Sequence, residues 1–364
     1  MTRVLDRPAS AGLEDIANAI ADGAAARNRE QHPAFPEDAI AALEQDGWLA
    51  IGAAGGADRP PATEELHLVR EISRADAGVG RIVDGHLNAI ERLAVGAEPA
   101  LRDAELGRVR AGRLRAGVWG ADPRGDEGPP AALVPTGGGL VLRGVKTFCS
   151  GAGGLDRALV LGRPAEQPGA PLCAWVSLRD ERVEIDDRWY AGAGMRSSVS
   201  HRVVFHDLPV IAVLGGAGWL TESPWISRDA LRTTATWAGI LDAAAEAALA
   251  ALRARPSRTA LDELAAGRIR AEHATVGLWQ TRAAEVMDRG DHRELQEVAV
   301  HARAATAAAA GRLLDEAARA CGSHPFATGS ALDRARRDID LFLLQHRLDP
   351  IVARDGAAAL ESRP

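Results

Sequence analysis

The stretch RRDIDLFLLQHRLDP, residues 336–350, holds the most reactive-looking arrangement in the chain. An Arg337–Asp338 pair opens a strongly apolar helical segment, and His346 follows about two turns later. Histidine titrates near neutrality, so His346 suits a general base or a donor that orients a substrate. Two other readings stand beside that one. Ile339, Phe342 and His346 share a helix face, which also fits a buried histidine with a local partner, and the position could be the remnant of a lost reaction. His86 raises the same choice, because Ile82, His86, Ile90 and Leu93 share one apolar face in RIVDGHLNAIERL. Lys146 is the only lysine among 43 basic residues. Where arginine serves everywhere else, one lysine points to a slot that needs the slimmer ammonium.

Several chemistries are argued against. Cys149, Cys173 and Cys321 are widely separated, which gives no metal-ligand spacing and no disulfide framework, and points to a reducing compartment. No phosphate-cradling Gly-x-x-x-x-Gly-Lys loop occurs, and no Gly-x-Gly-x-x-Gly follows a strand, so a nicotinamide dehydrogenase is not expected. No hydrolase triad spacing is found. Formal net charge is -7, with arginines dispersed among acids, so neither nucleic acid nor anionic lipid is an expected partner. The first twenty residues lack a basic start followed by a long apolar core, and no run approaches the roughly 18 apolar residues of a membrane span. A cytoplasmic protein without a membrane partner is the expectation.

The elements that must position these residues fall into three blocks. With 364 residues and 46% hydrophobic content, the chain can build a large core or two to three packed units. LEDIANAIADGAAA, FPEDAIAALEQDGWLAI and the stretch from Thr63 to Val95 show helical periodicity, with Pro36 and the acids after it suited to a helix start. From about residue 113 the pattern changes to short β-branched or aromatic runs bounded by Gly, Pro and Asp: RAGVWGADP, GLVLRGVKTFCSGAG, RALVLGRP, PLCAWVSL and SHRVVFHDLPV. Long Ala- and Leu-rich helical segments resume near residue 227. The expected class is α+β: an N-terminal helical domain over 1–112, a middle β-barrel or sandwich domain over 113–222, and a C-terminal four-helix bundle over 223–364.

Five of these motifs, in this order, resemble the acyl-CoA dehydrogenases and the flavoprotein oxidases and monooxygenases related to them. FPEDAIAALEQDGWLAIGAAGG is similar to the family's early helix and Gly-rich turn, and GVWGADP resembles its strand ending in Thr-Glu-Pro. LRGVKTFCSGAGGLDRALVL resembles the Gly-x-Lys hairpin, GMRSSVSHRVVFHDLPV the Gly-x-Arg-x-Ser stretch, and ACGSHPFATGSALDRARRDIDLFL the Gly-rich turn before Arg-Asp. The resemblance implies FAD held between sheet and bundle, a homodimer or homotetramer, and a small-molecule substrate, an acyl thioester linked to CoA or to a carrier protein.

It also implies roles. Trp119, Gly120 and Ala121 fall where the flavin ring is lined, although Ala121 replaces the usual threonine. Phe148 stands at the ring-stacking aromatic, and Ser150 at a flavin-contacting hydroxyl. Arg196 and Ser198 lie near the cofactor and substrate mouth, and His86 near the substrate cavity. Arg255 and Gly322 match positions by the FAD diphosphate. The family's catalytic glutamate lands on His346, or on Asp229 when it is carried on the earlier bundle helix. The expected reaction is α,β-dehydrogenation of an acyl thioester or related carbon acid with a non-standard base. A flavin monooxygenase or oxidase of the same fold is the alternative, since such relatives lack the glutamate; a catalytically silent subunit is a third reading. No metal is expected.

Overall fold

The computed structural model describes residues 12–29, 33–53, 59–166, 169–345 and 347–361, so His346 lies outside the described residues. Among these residues, five α-helices precede the first strand: α1 (Leu13–Arg27), α2 (Glu37–Gln45), α3 (Ala62–Ala75), α4 (Ala77–Gly96) and α5 (Pro99–Arg110). Helices α3 and α4 are almost one helix, interrupted where Asp76 adopts extended backbone at φ -153°. The break stabilises the start of α4. The Asp76 carboxylate accepts the backbone N–H of Gly78 (3.0 Å) and Val79 (3.3 Å), two of the donors every helix start leaves orphaned. Helix α4 is buried on nearly every side. Its aliphatic residues, such as Val83, Leu87 and Ile90, meet the core, while Asp84, Asn88, Glu91 and Arg92 are buried with polar partners.

Seven strands come next: β1 (Ala116–Trp119), β2 (Ala132–Thr136), β3 (Gly139–Cys149), β4 (Arg157–Pro164), β5 (Leu172–Ser177), β6 (Val183–Asp186) and β7 (His201–Leu214). Strand β4 pairs with β5, β5 with β7, β7 with β3, β3 with β2, and β2 returns to β4, so the sheet closes on itself. The β1 and β6 strands add to β4 and β7 respectively. Closure removes most free edges. It also fills the interior with alternate residues such as Trp175, Val203 and Phe205.

The last part is helical: α6 (Trp225–Arg253), α7 (Ala260–Arg289), α8 (His292–Cys321), the single turn α9 (His324–Ala327), α10 (Ala331–Gln345) and α11 (Asp349–Glu361). A capping box between Thr259 and Asp262 starts α7, Gly290 ends it in left-handed backbone, and Asp291 caps α8. Helix α6 corrects one sequence expectation. It is long and apolar enough to cross a membrane by length and composition, but 67% of its apolar window is buried in this fold. Here it is a core helix, packed through Trp237, Ile240 and Leu241.

A buried charge network fills the seam between α3, α4 and α6. Arg232 is fully buried and bonds Glu65, Glu91 (2.8 Å) and the Asn88 side-chain oxygen (2.8 Å). Arg228 reaches the same Glu91 at 2.6 Å, as does Arg59 at 2.5 Å. Burial works to raise the Glu91 pKa, but Arg232 and Arg228 overcome it and hold the carboxyl well below the usual carboxylate range. Removing one member of such a cluster leaves opposite charges stranded in low dielectric. Arg232→Met is therefore expected to lower unfolding stability by about 3–5 kcal/mol in urea titrations, and adding Glu65→Gln should restore part of the loss. A change below about 1 kcal/mol would show that the network is spectator to folding.

Candidate active site

The end of β3 is shaped by its one lysine. Lys146 is 1% exposed, and its ammonium donates to the Asp122 carboxylate (2.6 Å) and the Gly120 carbonyl (3.2 Å). The neighbouring Thr147 N–H donates to the Ala121 carbonyl at 3.1 Å. The turn Gly120–Asp122 is thereby pinned to β3. Between Lys146 and Cys149 the pairing with β7 shifts register, and Phe148 sits in left-handed backbone at φ 51°. A bulky residue there carries strain of about 1–3 kcal/mol, which surrounding contacts must hold. The consequence is an aromatic ring turned outward. Phe148 is 40% exposed, with Trp189 (5.0 Å between centroids) and Tyr190 (6.4 Å) meeting it at near right angles.

Beside this ring runs a chain of hydroxyls. Ser198 Oγ donates to the Met195 carbonyl at 2.6 Å, which commits its single proton. Ser200 must then donate to Ser198 (2.7 Å), and Ser150 to Ser200 (2.9 Å). Ser150 is left with lone pairs only, so it offers an acceptor to any group seated against Phe148. The turn that carries these serines is itself strained: Met195 and Val199 share positive φ with Phe148.

Two carboxylates clamp that turn. Asp76 accepts the Ser197 hydroxyl as well as its two cap bonds, and its other oxygen accepts Arg27 Nε at 3.0 Å. Asp338, near the middle of α10, accepts the Met195 N–H at 2.5 Å. Approach is close enough to demand glycine twice. A Cβ on Gly78 would come within 2.3 Å of the Ser198 nitrogen, and one on Gly194 within 2.1 Å of the Arg337 carbonyl oxygen. Burial pushes the Asp338 carboxyl up to about 7, with Asp76 adding to the shift and the Met195 N–H opposing it.

The structure thus brings together Gly120, Ala121, Phe148, Ser150 and Ser198, with the Arg196 side chain half-buried on the same turn, bonded to the Gly192 carbonyl at 3.3 Å. It does not bring in the other expected residues. Trp119 is 1% exposed and lies under the site, where its indole N–H donates to the Ser150 carbonyl at 3.0 Å, so it supports the turn and lines no ring. Asp229 is held by both nitrogens of Arg92 at 2.6 Å, with Arg232 at 3.8 Å. Burial raises its pKa, but its oxygens are engaged, and a clamped carboxylate is a poor proton acceptor. His86 is a strut. Its Nδ1 accepts the Ala116 N–H (3.1 Å) and its Nε2 donates to the Leu49 carbonyl (2.9 Å), which ties α4 to β1 and to the turn before α3. Arg255 bonds the Asp262 carboxylate and the Ala320 carbonyl, close to Gly322 at the end of α8, so these two sit at one end of the bundle.

Sequence reasoning passed over Trp189 and Tyr190. The signal was available, since Tyr190 is the only tyrosine and the pair directly precedes the serine turn. Among the described residues no group of His, Cys, Asp and Glu could hold a metal.

No family model matches the chain. It is 30% identical over 160 residues to dibenzothiophene monooxygenase of Mycolicibacterium goodii, a match covering 43% of this chain and 38% of that protein, so the chain aligns with less than half the length of this curated relative. Whole-chain likeness comes from solved structures. TdsC from Paenibacillus sp. A11-2, in complex with FMN and indole, superposes with TM-score 0.80 at 20% identity over 96% of both chains. Methanesulfinate monooxygenase MsuC from Pseudomonas fluorescens gives 0.82 at 19% identity over 97% of both. A probable acyl-CoA dehydrogenase from Mycobacterium abscessus gives 0.75 at 17% identity, over 91% of this chain and 93% of that one.

The strut role of His86 has a pH signature. Burial lowers its pKa from the ordinary 6.5 to about 4, so the folded state prefers the neutral ring and the unfolded chain takes up the proton first on acidification. The strut's contribution is intact above pH 6.5 and is lost as pH falls toward 4, by about 3 kcal/mol in total. His86→Gln should flatten the fall in stability over that window, measured by urea unfolding at successive pH values. An unchanged slope would place the acid sensitivity elsewhere.

Proposed function

We propose that this chain, which has the acyl-CoA dehydrogenase-like fold, is a flavin-dependent monooxygenase that oxygenates a small aromatic or heteroaromatic compound. The observation that carries the choice of reaction is the fixed pairing of Asp229 with Arg92. Proton abstraction from a thioester needs a free base, and the carboxylate at the α6 position is not free. With Asp229 engaged, α,β-dehydrogenation would rest on His346 alone, and the alternative is the better supported reading. The local match to a dibenzothiophene monooxygenase and the whole-chain likeness to a monooxygenase seen with FMN and indole support the same reading.

The residues at the sheet–bundle junction fit a flavin on their own terms. Phe148 presents an exposed aromatic surface from left-handed backbone that its neighbours must hold. Ser150, its own proton committed, would accept a hydrogen bond from a ring N–H. The pinned Gly120–Asp122 turn would form the second wall. A bound reduced flavin would supply the activation of dioxygen. The protein's part is to hold the ring against Phe148, present fixed hydroxyls and carbonyls, and exclude water. We favour FMN over the FAD first expected, since TdsC was solved with FMN. His346, which directly follows α10, enters this reading as the donor that orients the substrate. Arg255 and Gly322, away from Phe148, would meet the flavin of a second copy in a homo-oligomer.

The decisive experiment supplies FMNH2 from a separate flavin reductase and offers indole or dibenzothiophene under 18O2. The expected product carries one 18O atom. Anaerobic bleaching of bound oxidised flavin by an acyl-CoA, with no 18O incorporation, would restore dehydrogenation. For the site itself, Phe148→Gly keeps the left-handed backbone and removes the ring. It should weaken flavin binding at least tenfold in fluorescence titration while stability stays within about 1 kcal/mol. Unaltered flavin affinity would move the cofactor away from Phe148.

A further inference from the structure

A cavity of about 350 Å³ lies between α1, the α3–α4 junction, α6 and α10, behind the serine turn and apart from the Phe148 surface. It exists because four helices present alanine toward a common point, among them Ala24, Ala247 and Ala335, whose side chains stop at Cβ. Native interiors seldom leave so large a space unfilled.

Three acids line it, in different states: Asp76, Asp338 and Glu246, the last paired with Arg74 at 3.6 Å. Asp76 is fully engaged by Gly78, Val79, Ser197 and Arg27. Asp338 has one partner among the described residues, the Met195 N–H, although the residue is only 6% exposed. The other carboxyl oxygen has no protein donor among the described residues and is free to accept from a ligand. Nearby cations do not satisfy it. Arg74 pairs with Glu71 (3.1 Å) and Glu246 (3.6 Å), Arg337 with Asp333 (2.9 Å), and Arg334 reaches the Gly329 carbonyl (3.5 Å).

We infer that this cavity binds a compact organic cation, a primary amine on a small apolar body, with its ammonium donating to Asp338 and its body against the alanine walls. The three lining acids, Asp76, Asp338 and Glu246, outnumber the lining arginines Arg74 and Arg334, which disfavours an anion there. The alanines and Ile240 disfavour a strongly hydrated ion. The volume accommodates a ligand of about ten heavy atoms. The groups facing Asp338 from its own and neighbouring elements are Asp76, Arg27, Arg74, Arg334, Arg337, Glu246 and Tyr190. Burial and Asp76 favour its proton, so amine binding is expected to weaken as pH falls below about 7. Because Asp338 also holds Met195, an occupied cavity would bear on the turn that carries Ser198.

The test needs no flavin and so stands apart from the proposed reaction. Isothermal titration calorimetry at about pH 8 would compare benzylamine and n-butylamine with benzyl alcohol and n-butanol, their uncharged counterparts. At least one amine should bind saturably, one per chain, and at least tenfold more tightly than its alcohol. Asp338→Asn should abolish that preference. Ala247→Leu, which fills the cavity from α6 without replacing any of the lining acids, should weaken amine binding at least tenfold, with circular dichroism showing the fold intact. The inference fails if neither amine binds, if amine and alcohol bind equally, or if a folded Ala247→Leu variant binds as the parent does. Should Asp338→Asn not fold, the Ala247→Leu result decides alone.

Discussion

Much of this architecture hangs on one carboxylate. Asp76 sits where α3 would otherwise run into α4, and its extended backbone makes the break. One oxygen caps α4 and accepts Ser197, while the other accepts Arg27 from α1. Three parts of the chain, separated by 49 and 121 residues, therefore converge on a single side chain. A helix cap alone is worth about 1 kcal/mol. Here the same group also fixes where the helical layer touches the serine turn, so the position of α4 and the geometry of the hydroxyl chain cannot be set independently. Gly78, one step into the helix, is small for the same reason: any side chain would push the two apart.

The strained residues are a consequence of that constraint. Of the four non-glycine residues with positive φ among those described, Phe148, Met195 and Val199 lie around the hydroxyl chain. Each would relax if its neighbours allowed it. Met195 is held by Asp338, and the Val199 turn by the Gly151 N–H, which donates to the Ser198 carbonyl at 2.8 Å. Phe148 is held by the register shift between Lys146 and Cys149. Such over-determination is what permits a sheet end to display an aromatic ring outward when burying it would release free energy.

How much of this was legible in the sequence depended on distance along the chain. The helix–strand–helix order could be read from periodicity, because both the 3.6-residue and the 2-residue patterns are local. Lys146 stood out through composition alone, and its partners Gly120 and Asp122 give it a structural role. The Arg337–Asp338 pair was visible, but that Asp338 holds Met195, 143 residues earlier, could not be inferred from spacing. His86 looked the same as a core or a site residue, because its partners Leu49 and Ala116 lie 37 and 30 residues away. Asp229 failed for the same reason, with Arg92 at a separation of 137. Ionisable residues take their roles from partners, and those partners come from other elements.

The two faces of α4 also suggest why this fold would be put to a different reaction. Toward α6, arginines and carboxylates neutralise one another: Arg92 with Asp229, and Arg232 with Glu65 and Glu91. Along that seam no described carboxylate of these pairs is free to take a carbon-bound proton. Toward the sheet, by contrast, the groups that would meet a ligand are serine hydroxyls, backbone carbonyls and aromatic rings, held in place by Asp76, Asp338 and the Lys146–Asp122 pair. Uncharged dipoles fixed in place stabilise a reacting cofactor without competing for its protons. On the proposed reading, the protein has given up acid–base chemistry along the α4–α6 seam in exchange for stability. What it retains at the other face is positioning, which is what a cofactor that performs the chemistry itself requires.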